Sequence, residues 1–242
     1  MLVDTLAAEW DARLKHAPPR VVVEVGSGTG YVVTSAALLA NDASTSCRCF
    51  ATDVNPDAVA ATRATANAHG VGDAVEAMRC DLLGPLRESH AGKIDLLLFN
   101  PPYVLTPSEE VRRRRQENAT RRELASPPVC SVRRPETTHE PYRPLSLTLD
   151  TLTLVRPQVT RGGIAAAWAG GVDGREVLDR LLPDVASALS PGGVFLLLLL
   201  EQNKPKEVAA ILEADGLECE MVATCSADEE RLHVMRAVKP PR

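Results

Sequence analysis

Four consecutive residues, Asn100-Pro101-Pro102-Tyr103, could hold a planar NH2 group and present its nitrogen to an electrophile. They follow the apolar run 94–99, which predicts a buried strand. Proline fixes its own φ and biases the preceding residue towards extended geometry, so the two prolines stiffen the turn and leave carbonyls pointing outward as acceptors. The Asn side-chain oxygen and a neighbouring carbonyl can then accept from both N–H donors of an amide or an exocyclic amine, while Tyr103 supplies a flat wall. The alternative is a strand that simply ends in a proline turn.

A second motif is the glycine turn Gly-Ser-Gly-Thr-Gly at residues 26–30. It joins a β-branched run at 21–25 to a stretch at 31–40 that predicts a helix. A strand, a glycine turn and a helix in this order bring the backbone of a parallel α/β sheet close to a nucleotide-like ligand. The spacing is G-x-G-x-G, because Tyr31 stands where dinucleotide binders have their third glycine.

Acidic residues occupy three places near the ends of predicted strands. Glu24 lies within the first strand, and Asp53 and Asp81 follow the second and third. Because the carboxyl ends of parallel strands converge, we expect these carboxylates to line one pocket beside Asn100. There Asp53 can accept from both hydroxyls of a ribose, and Asp81 from an adenine amino group while the Leu82 amide donates to the ring. Aspartate favours loops and caps in any case. Together with the glycine turn, however, the acids favour an adenosine-containing ligand.

The remaining elements alternate along the chain. Asp173, with Glu176 three residues later, predicts a capping box at the start of one helix, and the breaker Ser190-Pro191-Gly192-Gly193 follows that helix. The alternation predicts an α/β fold with a mostly parallel sheet covered on both faces. Predicted helices cover residues 2–14, 31–40, 55–69, 177–189 and 205–214, and predicted strands cover 21–25, 47–52, 75–79, 94–99, 194–200, 217–225 and 231–238.

Composition sets outer limits on the function. A chain of 242 residues is long enough for one well-buried domain over 1–242, and its net charge of −5 gives no general basic field for nucleic acid. The six cysteines contain no C-x-x-C, which favours buried reduced thiols over disulfides or a zinc site, so we predict no metal. The most apolar run, 194–200, is too short to cross a bilayer. No signal peptide precedes the first helix, so we expect a cytoplasmic and possible nuclear location, with no membrane partner.

Residues 111–163 interrupt the alternation with a segment rich in Arg, Pro, Ser and Thr. So long a connection without periodicity predicts a disordered insertion within the domain. A loop that contacts RNA is the alternative, because arginine clusters can neutralise phosphates.

Several motifs together resemble class I S-adenosylmethionine-dependent methyltransferases, and more narrowly the eukaryotic HemK-like (Mtq2-type) branch, which methylates the glutamine of the Gly-Gly-Gln loop in the translation release factor eRF1. The Asn-Pro-Pro-Tyr tetrad also occurs in adenine-N6 methyltransferases, so the segment at 166–171 is the more specific signal. The matching motifs are EVGSGTG at 24–30, DVNP at 53–56, DL at 81–82, FNPPYV at 99–104 and AAWAGG at 166–171 with DGRE at 173–176.

The resemblance implies a Rossmann-like class I methyltransferase fold, with a seven-stranded mostly parallel sheet, helices on both faces and a C-terminal antiparallel strand. It also implies S-adenosylmethionine as cofactor, eRF1 as protein substrate without a requirement for nucleic acid, and a heterodimer with a Trm112-like small zinc protein that adds to the sheet edge near the third strand. The implied cofactor-binding residues are Glu24, Gly26, Ser27, Gly28, Gly30, Asp53, Val54, Asp81, Leu82 and Asn100. The implied catalytic residues are Asn100, Pro101, Pro102 and Tyr103, and the implied substrate-binding residues are Asn100, Pro101, Tyr103 and Trp168.

Two departures from the family keep other functions open. Family members carry a Tyr-x-Pro-x-x-Asp-Ser/Thr segment ahead of the first helix, whereas Met1-Leu2-Val3 already matches that helix. The second departure is the insertion between the tetrad and Trp168. The alternatives are methylation of adenine N6 or of a protein lysine, or a partner-binding module with impaired catalysis that lacks the amino-terminal cofactor lid.

Overall fold

A seven-stranded sheet forms the framework of the protein in this computed structural model, which describes residues 1–43, 46–102, 104–105, 169–227 and 230–241. The strands are β1 (Val21–Val25), β2 (Arg48–Asp53), β3 (Val75–Arg79), β4 (Ile94–Phe99), β7 (Leu189–Leu200), β8 (Glu218–Ala227) and β9 (Glu230–Val238), and the short β5 (Val104–Leu105) and β6 (Ala169–Gly171) pair with each other. The sheet order is β3-β2-β1-β4-β7-β9-β8. Pairing is parallel from β3 to β7, and β9 is antiparallel to both of its neighbours. This confirms a mostly parallel sheet with a C-terminal antiparallel strand.

Helices cover both faces of this sheet. Alternate residues of each strand point to opposite faces, so Val22 and Leu96 belong to one buried cluster while Val23 and Leu97 belong to the other. The first cluster contains residues of the first three helices, and the second contains residues of the last two. The helices are α1 (Leu2–Ala12), α2 (Tyr31–Asp42), α3 (Pro56–Ala68), α4 (Leu86–Ser89), α5 (Glu176–Ala188) and α6 (Pro205–Ala214), with 3-10 turns at Leu14–His16, Val172–Gly174 and Glu201–Asn203.

The predicted capping box at Asp173 is wrong. Helix α5 begins at Glu176, its N-cap is Arg175, and no side chain caps it. Asp173 instead lies in the preceding 3-10 turn with φ 55°, and its carboxylate accepts from Lys204 Nζ at 3.0 Å. The Asp173 carboxylate therefore forms an ion pair with a residue distant in sequence, whereas the local pattern predicted that it would cap the helix.

The predicted start of the fifth strand is also wrong. Strand β7 begins at Leu189, and the predicted breaker at 190–193 lies within it, where the register with β4 shifts. The Gly192 N–H donates to the Lys239 carbonyl at 2.8 Å, and the Lys239 N–H donates to the Gly193 carbonyl at 2.9 Å. These bonds, made to the chain just after β9, keep the glycines in the sheet.

Cysteine burial differs from the prediction. Cys47, Cys49, Cys80, Cys219 and Cys225 are free thiols, but Cys49 alone among these five is buried. No helix in the described part of the chain is long and apolar enough to span a membrane. Residues 111–163 lie outside the described residues, so the predicted insertion stays a prediction.

Candidate active site

Strand register brings three of the predicted site residues to one level. Val25 pairs with Thr52 of β2 on one side and with Phe99 of β4 on the other. Each of these paired residues is followed directly by a predicted site residue. Because neighbouring strands lie about 5 Å apart, the residues that follow border one crevice at the carboxyl edge of the sheet. They are Gly26, Asp53 and Asn100.

The glycine turn between β1 and α2 is held in a compact, left-handed conformation. Gly26, Gly28 and Gly30 have φ values of 65°, 53° and 76°, which L side chains rarely adopt. A Cβ on Gly30 would lie 2.7 Å from the Cα of Thr62 in α3, so the start of α2 packs directly on the backbone of that helix. The Ser27 N–H donates to the Thr52 carbonyl at 3.0 Å, which fixes the turn against β2.

Two threonines of α3 support this turn, and the sequence analysis did not find them. The Thr62 hydroxyl is 2.9 Å from the Ser27 hydroxyl and 3.4 Å from the Gly28 carbonyl. The Thr65 hydroxyl donates to the Thr29 carbonyl at 2.7 Å. The two threonines lie one helical turn apart on α3, and this spacing, which places them on one face of the helix, was the only available signal. Nothing in the local sequence connects that face with residues 26–30.

Asp53 is a fixed acceptor at the end of β2. Its Oδ2 accepts the Gly28 N–H at 3.0 Å, and its Oδ1 accepts the Asn55 N–H at 2.8 Å. Asn55 in turn caps α3, because its side-chain oxygen accepts the Asp57 N–H at 3.0 Å. Each carboxylate oxygen of Asp53 keeps further acceptor capacity, so the side chain is oriented but can still bind hydroxyls. The next residue, Val54, exposes 45% of its surface beside this acceptor.

Glu24 occupies a different environment from Asp53. It is 2% exposed, and its Oε2 accepts the Val33 N–H in the first turn of α2 at 2.8 Å. Burial is the main cause that raises the pKa of Glu24 to about 8; the Val33 hydrogen bond opposes this shift, and the nearby charge of Asp53 adds to it by a smaller amount. Glu24 is therefore largely protonated at neutral pH, and its carboxyl group joins β1 to α2 from within the core.

Asp81 and Leu82 follow β3, and the structure gives Asp81 a partner that sequence reasoning missed. Arg180 of α5 donates from Nη2 to the Asp81 carboxylate, and both side chains are about half exposed. The two residues are 99 positions apart, so no local pattern could indicate the pair. Leu82 adopts a left-handed conformation with φ 51° and buries its side chain. No acceptor among the described residues takes the Leu82 N–H.

The tetrad extends directly from the buried end of β4. Phe99 is 1% exposed, Asn100 is exposed, Pro101 is buried and Pro102 is half-buried. A Cβ on Gly26 would lie 3.5 Å from the Phe99 ring, so β4 ends against the glycine turn. Tyr103 and Trp168 lie outside the described residues, and their predicted roles stay predictions.

A short ladder forms beside the tetrad. Val104 pairs with Ala169 and Leu105 pairs with Gly171, so β5 and β6 run parallel. This pairing places the Ala-Gly-Gly end of the specific 166–171 motif next to the tetrad, although more than sixty residues separate them in sequence.

The sequence is similar to methyltransferase HEMK2 of Homo sapiens, with 32% identity over 239 residues that cover 99% of this chain and 86% of that protein. The chain belongs to the HemK-like class I methyltransferases. Residues 2–117 of this methyltransferase match the family model "Methyltransferase small domain". The eRF1 methyltransferase catalytic subunit mtq2 of Schizosaccharomyces pombe is 29% identical over 143 residues, covering 59% of this chain and 42% of that protein. A methyltransferase structure from Pyrococcus furiosus matches the fold with a TM-score of 0.53 and 14% identity, covering 98% of this chain and 83% of that one.

The crevice fits the cofactor of this family, S-adenosylmethionine, which supplies a methyl carbon made electrophilic by the adjacent sulfonium. Asp53 has an oriented carboxylate that would suit ribose hydroxyls, and Val54 has exposed apolar surface that would suit a flat base. Leu82 offers an amide N–H, and Asp81 an acceptor, for the polar edge of adenine. The glycine turn lets the backbone approach the remainder of the molecule. The predicted enzyme class and cofactor are thereby confirmed by family membership, and the assignment of individual residues stays a prediction.

Proposed function

We propose that this methyltransferase modifies the side-chain nitrogen N5 of the glutamine in the Gly-Gly-Gln loop of release factor eRF1, as the catalytic subunit of a heterodimer. The observation that carries the proposal is the position of Asn100 and Pro101, at the end of β4 and level with the glycine turn. Two relatives support a release-factor glutamine as the acceptor: the mtq2 relative is an eRF1 methyltransferase subunit, and a relative from Chlorobaculum tepidum is a release factor glutamine methyltransferase.

An amide nitrogen is a poor nucleophile because its lone pair is delocalised into the carbonyl. The Asn100 side-chain oxygen and the Pro101 carbonyl can accept from its two N–H groups, which holds the NH2 in one orientation and favours charge development on nitrogen. Pro101 lacks an N–H and is buried, so its carbonyl is rigidly held. No strong base is required, because the nitrogen proton becomes far more acidic after alkylation.

Labelling tests the proposal directly. Purified protein with its partner should transfer labelled methyl from S-adenosylmethionine to eRF1, and mass spectrometry should place it on the loop glutamine. A factor with alanine at that glutamine is the control and should not be labelled. Absence of label on the intact factor, with partner present and cofactor binding demonstrated, would reject eRF1 as the acceptor.

Replacing Asn100 by alanine should abolish turnover and largely spare cofactor binding. The substitution removes one acceptor of the NH2 clamp but leaves the Asp53 and Leu82 contacts intact. Ser89→Ala is a control, since that hydroxyl is exposed and donates to the carbonyl of Pro85, the N-cap of α4. Single-turnover assays and calorimetry with S-adenosylmethionine separate the two effects. If Asn100→Ala turned over at the rate of the parent, the Asn100 oxygen would not be needed to hold the substrate NH2 group.

The proposed partner, a Trm112-like small zinc protein, would dock at the edge of the sheet formed by β3. Among the residues that the structure describes, β3 pairs with a strand on one side only, so its other side offers main-chain donors and acceptors for strand addition. Glu76 and Arg79 are exposed on this strand and Met78 is half-buried. Ala77→Pro removes a main-chain N–H donor from β3. Loss of co-purification of the partner with this variant, at unchanged affinity for the cofactor, would support the docking site. Retained co-purification of the partner would contradict it.

Termination of translation is cytoplasmic, so the proposed substrate implies action in the cytoplasm. A nuclear pool stays a prediction, and cell fractionation with the partner would test it.

A further inference from the structure

Three residues beyond the tetrad form a polar cluster that we call the Asp173 clasp: Asp173, Asn203 and Lys204. Asn203 is 0% exposed and lies in the turn after β7. Its Oδ1 accepts the Leu200 N–H at 2.7 Å, and its Nδ2 donates to the Asp173 carbonyl at 2.9 Å. Lys204 Nζ donates to the Asp173 carboxylate at 3.0 Å. The clasp therefore joins the segment after β6 to the end of β7 through the main chain and through charge.

Two residues of the clasp have backbone conformations that ordinary side chains avoid. Asp173 has φ 55° and Lys204 has φ 54°, both in the left-handed region. Such a conformation costs roughly 1–2 kcal/mol for a residue with a Cβ, so surrounding contacts must hold it. The contacts that do so here are the bonds that Asp173 makes with Asn203 and Lys204. Residues in such strained backbone conformations cluster at functional sites, where the surrounding structure holds the backbone in one conformation.

Arg175 adds a second tie between the same two segments. It is 7% exposed, donates to Asp179 of α5 at 2.8 and 3.0 Å, and donates to Glu207 of α6 at 2.9 Å. The start of α5 is thereby fixed to the start of α6. The chain from β6 to α5 is held at two points, at Asp173 and at Arg175.

The clasp stands beside the tetrad. Asp173 comes two residues after Gly171, the last residue of β6, and β6 pairs with β5, which follows the tetrad directly. Phe99 pairs with Leu197 of β7, so β7 extends three residues past the end of β4 before it reaches the Asn203 turn. The cofactor crevice lies towards β2 and β3, on the other side of β4 in the sheet order.

We propose that Asn203 is a positioning residue for the methyl acceptor. By holding the Asp173 carbonyl, it fixes the β5–β6 ladder, so that the acceptor amide meets Asn100 and Pro101 in one place. The identity of the acceptor in this inference rests on the proposed function. The inference adds a residue between β7 and α6 to those that position the acceptor. The role is one of orientation, since Asn203 is buried and bonds to Asp173, two residues after the end of β6.

Asn203→Asp is the sharpest test, because it preserves shape and the acceptor for the Leu200 N–H but replaces the donor with an oxygen that faces the Asp173 carbonyl. We expect KM for the Gly-Gly-Gln factor to rise about tenfold or more, with unchanged calorimetric affinity for S-adenosylmethionine. Lys204→Met should shift KM in the same direction by less, because its ion pair is about half exposed. It also provides a reading if Asn203→Asp folds poorly.

Val208→Ala is the matched control. Val208 is 0% exposed in α6, next to the clasp in sequence, and contributes apolar packing. It should lower Tm comparably to Asn203→Asp without raising KM. A parental KM in Asn203→Asp, or an equal rise of KM in Val208→Ala at matched loss of Tm, would overturn the positioning role.

Amide hydrogen exchange separates failure of this inference from failure of the proposed function, because it needs no substrate. Amides of β5 and β6 should exchange faster in Asn203→Asp than in the parent, while those of Val208→Ala should not. Unchanged exchange in Asn203→Asp overturns the inference even if eRF1 is methylated. Faster exchange without any labelling of eRF1 by the parent supports the clasp and rejects only the acceptor.

Discussion

Two carboxyl groups near the glycine turn show how environment sets the role of a residue. Asp53 is partly exposed and is oriented by the N–H groups of Gly28 and Asn55, which suits a carboxylate that accepts from a ligand. Glu24 is enclosed and bonds to Val33, and burial raises its pKa to about 8. The sequence placed both acids at the same sheet edge, but burial depends on α2 packing over β1. Their separation into an exposed acceptor and a buried acid therefore required the structure.

The raised pKa of Glu24 predicts a pH dependence of stability. The folded protein retains a proton that the unfolded chain releases above about pH 4.5, so this contribution to stability is complete below that value. It is lost progressively as pH rises towards the folded pKa of about 8. Glu24→Gln should make the free energy of unfolding less dependent on pH in this window.

Urea denaturation between about pH 5 and pH 8 measures this dependence. Glu76→Gln, at an exposed position of β3, is the control and should retain the parental slope. An unchanged slope in Glu24→Gln would mean that Glu24 titrates normally in the folded protein.

Asp53→Ala should weaken S-adenosylmethionine binding by roughly 10- to 100-fold, because a hydrogen bond to a charged group is worth about 1.5–3 kcal/mol. Asp57→Ala is the matched control, since Asp57 is an exposed acid four residues later in the first turn of α3. Calorimetric titration gives both dissociation constants. Equal affinities for the parent and Asp53→Ala would place Asp53 outside the cofactor contacts.

At the scale of elements, the junction of α2 with α3 makes a testable distinction between two glycines. Both Gly28 and Gly30 have left-handed φ values, so alanine at either position costs roughly 1–2 kcal/mol of backbone strain. At Gly30 the new Cβ would also lie 2.7 Å from the Thr62 Cα, whereas at Gly28 it would meet no heavy atom of the described residues within 4 Å. Gly30→Ala should therefore destabilise the protein more than Gly28→Ala.

The free energies of unfolding of these two variants, measured in urea, separate the effect of backbone strain from that of the steric clash with Thr62. Gly28→Ala carries the strain alone and serves as the internal control. Equal losses in the two variants would show that α3 moves away from Gly30 at little cost.

Elements defined by local pattern were predicted well, and those defined by distant contacts were not. The continuous apolar run of β4 and the Asn55-Pro56 start of α3 gave the correct positions, because each signal lies within its own element. The Asp173 cap was wrong because Lys204 takes the carboxylate. The β5–β6 ladder was not predicted, because a two- or three-residue strand has no periodicity of its own.

The same division applies to the site. Glycines and acids that end successive strands are visible in sequence, because strand order converts them into neighbours at one edge. Arg180, which pairs with Asp81, and Asn203, which holds Asp173, come from the later half of the chain and reach the site through folding. Sequence therefore indicated the cofactor side of the crevice more completely than the acceptor side.

At the scale of the whole molecule, a buried ion pair joins the first helix to the last strand. Arg236 of β9 donates from Nη1 to Glu9 Oε1 of α1 at 2.7 Å, and both side chains are 10% exposed. Arg236 Nη2 also donates to Glu220 of β8, whose side chain is largely exposed. The two residues of this pair are 227 positions apart in sequence, and the pair fixes α1 against the antiparallel part of the sheet.

Glu9→Ala should lower the free energy of unfolding by about 3 kcal/mol, because it leaves the buried Arg236 guanidinium without its enclosed partner while Glu220 still accepts from it. Glu76→Ala is the control: it breaks the Arg48–Glu76 pair at 3.4 Å, in which both side chains are mostly exposed, and should cost about 0–1 kcal/mol. Urea denaturation measures both losses. If the two variants lost the same stability, the guanidinium would be solvated in the absence of Glu9, and α1 would be held to the sheet by apolar packing around Leu6 and Trp10 alone.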